Sequence, residues 1–313
     1  MLDSIPTRPL GSTGIAVPIL GFGAATLGGS YGPIALSEAE RAVHTALDAG
    51  MNFFDTSPYY GRTESERALG HCLRGVPRNR YIMATKVGRY GDQEFDFTAA
   101  RVTASVDESL ARLGTDHLDL LQCHDIEFWP LQRIIDETLP ALQCLKQSGK
   151  VRAIGITDYP LKIFRTVLAQ AKVDCILSYC HHTLLDDTLV GEAPWLQQQG
   201  VGILNASPLA MGALSTKGPP LWHPAPVDMK VACRTAAALC LELGSDLGRL
   251  ALQYSLTMPG VASTFVGIGS VAELQMNLAS FDQPIDTDLL RRVRAVLAPW
   301  SKHVWVSGLA ENN

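Results

Sequence analysis

Between Ile19 and Leu278 the chain repeats one pattern eight times: a short apolar run closed by turn residues, then a stretch with helical spacing of its apolar positions. The runs are Ile19–Gly23, Asn52–Asp55, Tyr81–Lys86, Leu118–Cys123, Val151–Ile156, Cys175–Leu177, Gly202–Asn205 and Thr264–Val266. Continuous apolar character is what a parallel strand buried on both faces requires. Between the runs, Thr98–Leu113 spaces Val102, Val106, Leu110 and Leu113 along one helical face. Ser37, with Glu40 three residues on, reads as a capping box for a helix reaching Ala49. Glu64–Leu73, Leu161–Ala171, Leu189–Gln199, the stretches near 228–242 and 246–257, and one through Leu274 and Leu278 read as further helices. Pro140 is expected in the first turn, or at a kink, of a helix that runs to Gln147 and stops at Gly149.

Eight such units predict an α/β fold, the closed parallel (β/α)8 TIM barrel, as one domain over residues 1–313. An open doubly wound sheet is the alternative, but Gly21-Phe22-Gly23 lacks the third glycine and the prompt helix of a dinucleotide fingerprint. An N-terminal β-hairpin is expected over Leu10–Val17, and the C-terminal tail from Asp286, with Trp300 and Trp305, is expected to fold over the barrel mouth.

Net charge is −5 with no basic cluster, which argues against a nucleic-acid groove or an anionic membrane surface as partner. The seven cysteines are odd in number and include no Cys-x-x-Cys, so neither a disulfide framework nor a zinc site is expected. The first residues form no apolar signal segment, and no run is long enough to span a membrane. The expectation is a soluble protein of a reducing compartment, the cytoplasm, with a small-molecule substrate and no obligate protein partner.

In a barrel of this kind the chemistry lies at the C-terminal ends of the strands. Those positions carry Asp55 with Tyr60 in the following turn, then Lys86, then His124-Asp125, Thr157-Asp158, Ser178, Ala206-Ser207 and Gly267-Ile268-Gly269. A lone Asp, Lys or His at such a place is usually a cap or a solvated charge, but the four together at successive strand ends favour a site. A tyrosine hydroxyl with pKa ~10 is a poor base at neutral pH, and a neighbouring ammonium is expected to lower it. An Asp would hold that ammonium, and a neutral imidazole would orient the substrate oxygen. Such a set moves a proton on or off a carbinol oxygen while hydride moves at the adjoining carbon. No nucleophile elbow and no clustered metal ligands compete with this reading.

The spacing of Asp55, Tyr60, Lys86 and His124 resembles the tetrad of the aldo-keto reductase family, and the likeness runs from the hairpin to the eighth strand. Four segments are similar to a branch that oxidises L-galactose with NAD: His124–Phe128, Ile176–His181, Ser207–Gly212 and Gly218–Ala225. The resemblance implies a (β/α)8 barrel and hydride transfer from the anomeric carbon of an aldose to NAD, giving a lactone. It implies cofactor contacts from Thr157, Asp158, Ser178, Ser207, Leu209, Gly212, Gly267, Gly269, Ser270, Glu273 and Asn277. Ala206 stands where the family places an aromatic ring for the nicotinamide, with His181 or Tyr179 as substitutes. Thr157-Asp158 replaces Ser-Asn, and Ser178 is the nearest polar residue to the usual Gln. Glu273 stands where relatives that prefer NADP carry a cation, which favours NAD. Around the mouth, Tyr59, Asp125, Trp129, His181, Trp222, His223 and Trp305 are the expected sugar contacts. A related aldose dehydrogenase, an NADPH-dependent aldehyde or ketone reductase, and an ancillary channel subunit are the other readings the family allows.

Overall fold

The computed structural model describes residues 5–281 and 283–313. A two-stranded antiparallel hairpin, β1 (Thr7–Pro9) and β2 (Ala16–Pro18), precedes the barrel. The barrel strands are β3 (Leu20–Gly23), β4 (Phe53–Asp55), β5 (Ile82–Val87), β6 (Leu118–Cys123), β7 (Val151–Asp158), β8 (Cys175–Tyr179), β9 (Gly202–Ala206) and β10 (Val261–Gly267). They pair in sequence order, all parallel, and β10 closes on β3. The helices are α1 (Leu36–Asp48), α2 (Glu64–Cys72), α3 (Ala99–Leu113), α4 (Leu131–Arg133), α5 (Leu139–Gln147), α6 (Lys162–Leu168), α7 (Ala193–Gln198), α8 (Val227–Glu242), α9 (Leu247–Leu256), α10 (Val271–Leu278) and α11 (Thr287–Leu297).

Helix α1 differs from expectation at its start, whereas Pro140 lies in the first turn of α5 as expected. Helix α1 starts one residue before Ser37, with Ala35 as its cap and no side-chain cap bond. Ser37 thus lies inside the helix and forms no capping box with Glu40, while its neighbour Glu38 accepts the Val271 backbone N–H at the start of α10. Ahead of Pro140 the chain winds as a π-turn over Ile134–Thr138 between α4 and α5. Proline has no N–H and its ring crowds the carbonyl four residues back, and widening the turn relieves both. The predicted Leu161–Ala171 helix is the shorter α6, and the region after Asp286 holds the helix α11, capped by the Asp286 carboxylate on the N–H groups of Asp288 and Leu289.

Inside the barrel, Phe53, Ala84, Leu120, Ala153, Leu177, Leu204 and Phe265 form the packed interior, with Phe53 and Phe265 edge to face at 4.8 Å. The hairpin plugs the lower end: Leu10, Ile15 and Val17 are buried there, and Ser12 N–H donates to the Gly200 carbonyl. A second core lies between α8, α9, α11 and Leu184–Leu185, outside the barrel wall. Among the described residues no helix is long and apolar enough to cross a membrane.

Candidate active site

Strand period two carries the interior pattern up to the mouth. Asp55 lies two residues beyond Phe53, Lys86 two beyond Ala84 and Gln122 two beyond Leu120, so the layer above the apolar interior is polar. Lys86 Nζ donates to Asp55 Oδ1 at 2.5 Å, to the Thr56 carbonyl at 2.9 Å and to the Tyr60 hydroxyl at 3.2 Å. Its three protons are thereby spent. Gln122 Nε2 donates to the other Asp55 oxygen at 3.3 Å. Burial works to lower the Lys86 pKa, but the Asp55 carboxylate and the Tyr60 hydroxyl outweigh it and hold the ammonium above its ordinary value. Burial pushes the Tyr60 hydroxyl up to about 12, and Lys86 opposes this only in part. The expected net lowering of Tyr60 is thus corrected: in a dry site, desolvation of the phenolate exceeds the attraction of one ammonium.

The His124 ring stands perpendicular to the Tyr60 ring, centroids 5.5 Å apart. Its Nδ1 is 2.9 Å from Ser57 Oγ, which also accepts the Tyr59 N–H at 3.1 Å. Burial holds its pKa down to about 3, so the imidazole is neutral.

Asp125, in the left-handed region at φ 52°, turns away from the strand. It pairs with Arg89 Nη1 at 2.5 Å, and its N–H donates to Thr157 Oγ1 at 3.0 Å. Thr157 therefore serves Asp125 and is not free for a ligand. The Arg89 guanidinium lies 3.9 Å from the Tyr59 ring centroid, and the Tyr59 hydroxyl donates to Asp92. Asp158 and Ser178 are register partners at the ends of β7 and β8. Both carboxylate oxygens of Asp158 and the Ser178 hydroxyl are buried without a partner. Burial, then the charges of Glu127 and Asp125, raise Asp158 well above the ordinary carboxylate range. A primary carboxamide, with two donors and one acceptor, would satisfy this pair.

Farther out, Tyr159 gathers the rings of Trp305 (4.7 Å, stacked), His181 (4.6 Å) and Tyr179 (5.4 Å). His181 Nδ1 bonds the Tyr179 carbonyl. Both rings offered as substitutes for the aromatic missing at Ala206 thus belong to this cluster. Trp222 is half exposed and meets Tyr31 edge to face at 5.7 Å. Two further candidates have structural partners of their own. His223 Nε2 bonds the Ala210 carbonyl and its Nδ1 accepts the Ala225 N–H, so both ring nitrogens hold the β9–α8 loop. Trp129 packs against Phe97 at 5.8 Å, and its carbonyl accepts from Asn312, so it anchors the tail.

The remaining candidates sit on two loops. Ser207 (φ 56°) and Gly212 (φ 94°) lie in a tightly wound segment after β9, with Leu209 packed between the two helical cores. After Gly267, Ser270 caps α10 by accepting the Glu273 N–H at 3.2 Å. Glu273 accepts the Gly269 N–H at 2.8 Å and pairs with Lys217 at 2.8 Å, bridging the two loops. Asn277 lies on α10, half-buried.

Sequence reasoning missed Ser57, Gln122, Arg89 and Tyr159. The period-two rule that placed Asp55 would have found Gln122, which precedes His124 by two positions. Arg89 had no such signal, because its reach to Asp125 depends on the loop after β5.

Residues 19–298 match the model of the aldo/keto reductase family. The chain is 48% identical over 320 residues to an L-galactose dehydrogenase of Arabidopsis thaliana, covering 99% of this chain and all of that one. It is 34% identical to a D-arabinose 1-dehydrogenase of Saccharomyces cerevisiae over 78% of this chain and 76% of the other. A solved aldo-keto reductase from Bacillus halodurans, in its holo form, superimposes with a TM-score of 0.77 at 27% identity, covering 96% and 98% of the two chains. This chain belongs to the aldo/keto reductase family and is an oxidoreductase that uses a nicotinamide cofactor.

Proposed function

We propose that the protein oxidises the anomeric carbon of L-galactose to the lactone with NAD. The observation that carries the reading is the junction at Lys86, whose ammonium ties the Asp55 carboxylate to the Tyr60 hydroxyl at 3.2 Å, beside a neutral His124. Bound nicotinamide would supply the hydride acceptor. Tyr60 acts as its phenolate: its own proton leaves to solvent first, and the phenolate held by the Lys86 ammonium then takes the proton of the C1 hydroxyl as hydride leaves C1. His124 Nε2 orients the C1 oxygen. Asp158 and Ser178 would hold the carboxamide, and their buried, unpartnered oxygens support that assignment.

The preference for NAD rests on Glu273. Lys217 is a cation of the kind that attracts an adenosine 2′-phosphate, and Glu273 neutralises it at 2.8 Å. A carboxylate there repels the phosphate and accepts from a ribose hydroxyl instead. Glu273→Arg is expected to move turnover toward NADP+, and equal or better use of NADP+ by the wild type would overturn the reading.

For the sugar, the stacked Tyr159–Trp305 pair and the Tyr59 ring offer apolar faces, while Asp125 and His181 offer polar ones. A displaced hydroxyl strands its partner at about 1–3 kcal/mol, so epimers should be rejected. The test is kcat/KM with NAD+ for L-galactose, its epimers, L-fucose, D-arabinose and uncharged aldehydes in one assay. L-galactose is expected to lead, and a lead of about tenfold by an aldehyde or D-sugar would sink the substrate assignment. The seven free cysteines accord with a soluble enzyme of the reducing cytoplasm.

A further inference from the structure

The ion pair beside His124 has a geometry that the proton chemistry alone does not require. Asp125 Oδ2 lies 2.5 Å from Arg89 Nη1 but 3.6 Å from His124 Nε2. The same carboxylate oxygen thus has two possible partners and is bonded to one. Arg89 is held firmly: its guanidinium lies over the rings of Tyr59 at 3.9 Å, Phe128 at 5.2 Å and Phe95 at 5.3 Å, and the two phenylalanines are themselves stacked at 4.7 Å. Its side chain is only 15% exposed. Planar guanidinium stacking of this kind fixes the direction of the charge as well as its sign.

We propose that Arg89 is a positioning residue for His124: it draws the Asp125 carboxylate out of hydrogen-bond reach of Nε2 and so leaves that nitrogen free for the substrate oxygen. Ser57 completes the arrangement, since its Oγ accepts the Tyr59 N–H and can give its own proton to Nδ1, which puts the ring proton on Nε2. Without Arg89, Asp125 closes the remaining gap, binds Nε2–H and stabilises the imidazolium. The substrate then competes with an internal carboxylate for its hydrogen bond. The charged and titratable groups facing His124 are Asp125, Lys86, Arg89, Tyr59 and Tyr60, from β5 and the loops after β4, β5 and β6. Of these, Asp125 is the one that favours the protonated ring.

The inference rests on the reading of His124 as the group that orients the substrate oxygen, and the experiment separates the two. Arg89→Met keeps the length and apolar contacts of the side chain and removes the charge. It is expected to cut kcat/KM by about 10–100-fold, the size of effect a misplaced acid–base group produces. In the same variant the His124 Cε1–H resonance, followed by NMR against pH, should titrate at higher pH than in wild type. Made on an Asp125→Asn background, Arg89→Met should cost less than about twofold relative to Asp125→Asn alone, because the competing carboxylate is gone. Arg89→Lys, which keeps the charge but not the fork, should fall between, and it serves if the methionine variant does not fold. Equal losses on both backgrounds, or an unmoved His124 titration, would overturn the proposal and make Arg89 a packing or direct substrate group. Full activity in His124→Gln would instead remove the underlying reading, whatever Arg89 does.

Discussion

Tyr60 is held protonated by burial more than it is activated by Lys86, with a pKa of about 12. Its ionisation is therefore costly, and its own proton has to leave to solvent, with Lys86 holding the phenolate, before Tyr60 can take the proton of the C1 hydroxyl. Tyr60→Phe removes the proton carrier but none of the dinucleotide contacts. It should lower kcat by about 10²–10⁴-fold with NAD affinity within a few-fold of wild type, measured by single-turnover kinetics and by titration of the bound dinucleotide. A variant retaining most of its activity would take Tyr60 out of the proton path. Asp55 and Gln122 show the same logic one bond farther away, since their hydrogen bonds orient the ammonium rather than the substrate.

The tail after α11 is fastened chiefly to the loop after β6, by bonds between residues far apart in sequence. Asn312 donates to the carbonyls of Glu127 and Trp129, Ser307 Oγ donates to Glu127 Oε1, and Leu309 N–H donates to the Glu127 carbonyl. Gly308, at φ 85°, lets the two backbones meet, for a Cβ there would lie 2.2 Å from the Glu127 oxygen. These bonds place Trp305 on Tyr159 above the mouth. The latch carries a cost, because burial and then the neighbouring Asp125 raise Glu127 to about 8. A carboxyl whose folded pKa lies above its unfolded value binds more protons in the native state between the two, so it weakens the fold as pH rises from the unfolded value through about 8. Glu127→Gln keeps an acceptor for Ser307 without the ionisation. The variant should melt close to wild type near pH 5 and exceed it near pH 8.5 by up to ~3 kcal/mol in thermal unfolding. A stability difference that does not depend on pH would refute this account of the latch.

At the scale of the whole molecule, the two ends of the barrel do different work. The hairpin plug touches only the lower end, remote from the tetrad layer. Gly11 is at φ 52°, and a Cβ there would sit 2.4 Å from the Gly202 backbone nitrogen. Gly11→Ala should therefore cost more than ~2 kcal/mol in denaturant unfolding while leaving kcat within about twofold, because strain at the plug does not reach the mouth. A large loss of kcat at unchanged stability would mean that the barrel transmits displacement from end to end.

The order of strands and helices was legible in the chain because continuous apolar runs and helical spacing are local properties, and parallel strands joined by helices close in few ways. The tetrad was legible for the same reason: Asp55 and Lys86 follow apolar strand residues at period two, so their height and face are set by their own strands. Helix caps and contacts between loops were not. Ser37 is not a cap because the helix already begins at Leu36, and its neighbour Glu38 bonds α10, over two hundred residues away in sequence. His223 and Trp129, read from the sequence as sugar contacts, also bond the loop after β9 and the tail, which no local pattern announced. Arg89 reaches Asp125, and Ser57 reaches His124, across neighbouring strand ends whose loops share no local pattern. The sign of the Tyr60 shift likewise depends on how completely the barrel excludes water, and burial is a property of the folded whole. Local spacing determined which residues could stand at the mouth, and tertiary packing alone decided their partners, because hydrogen bonds and desolvation depend on distance in space rather than along the chain.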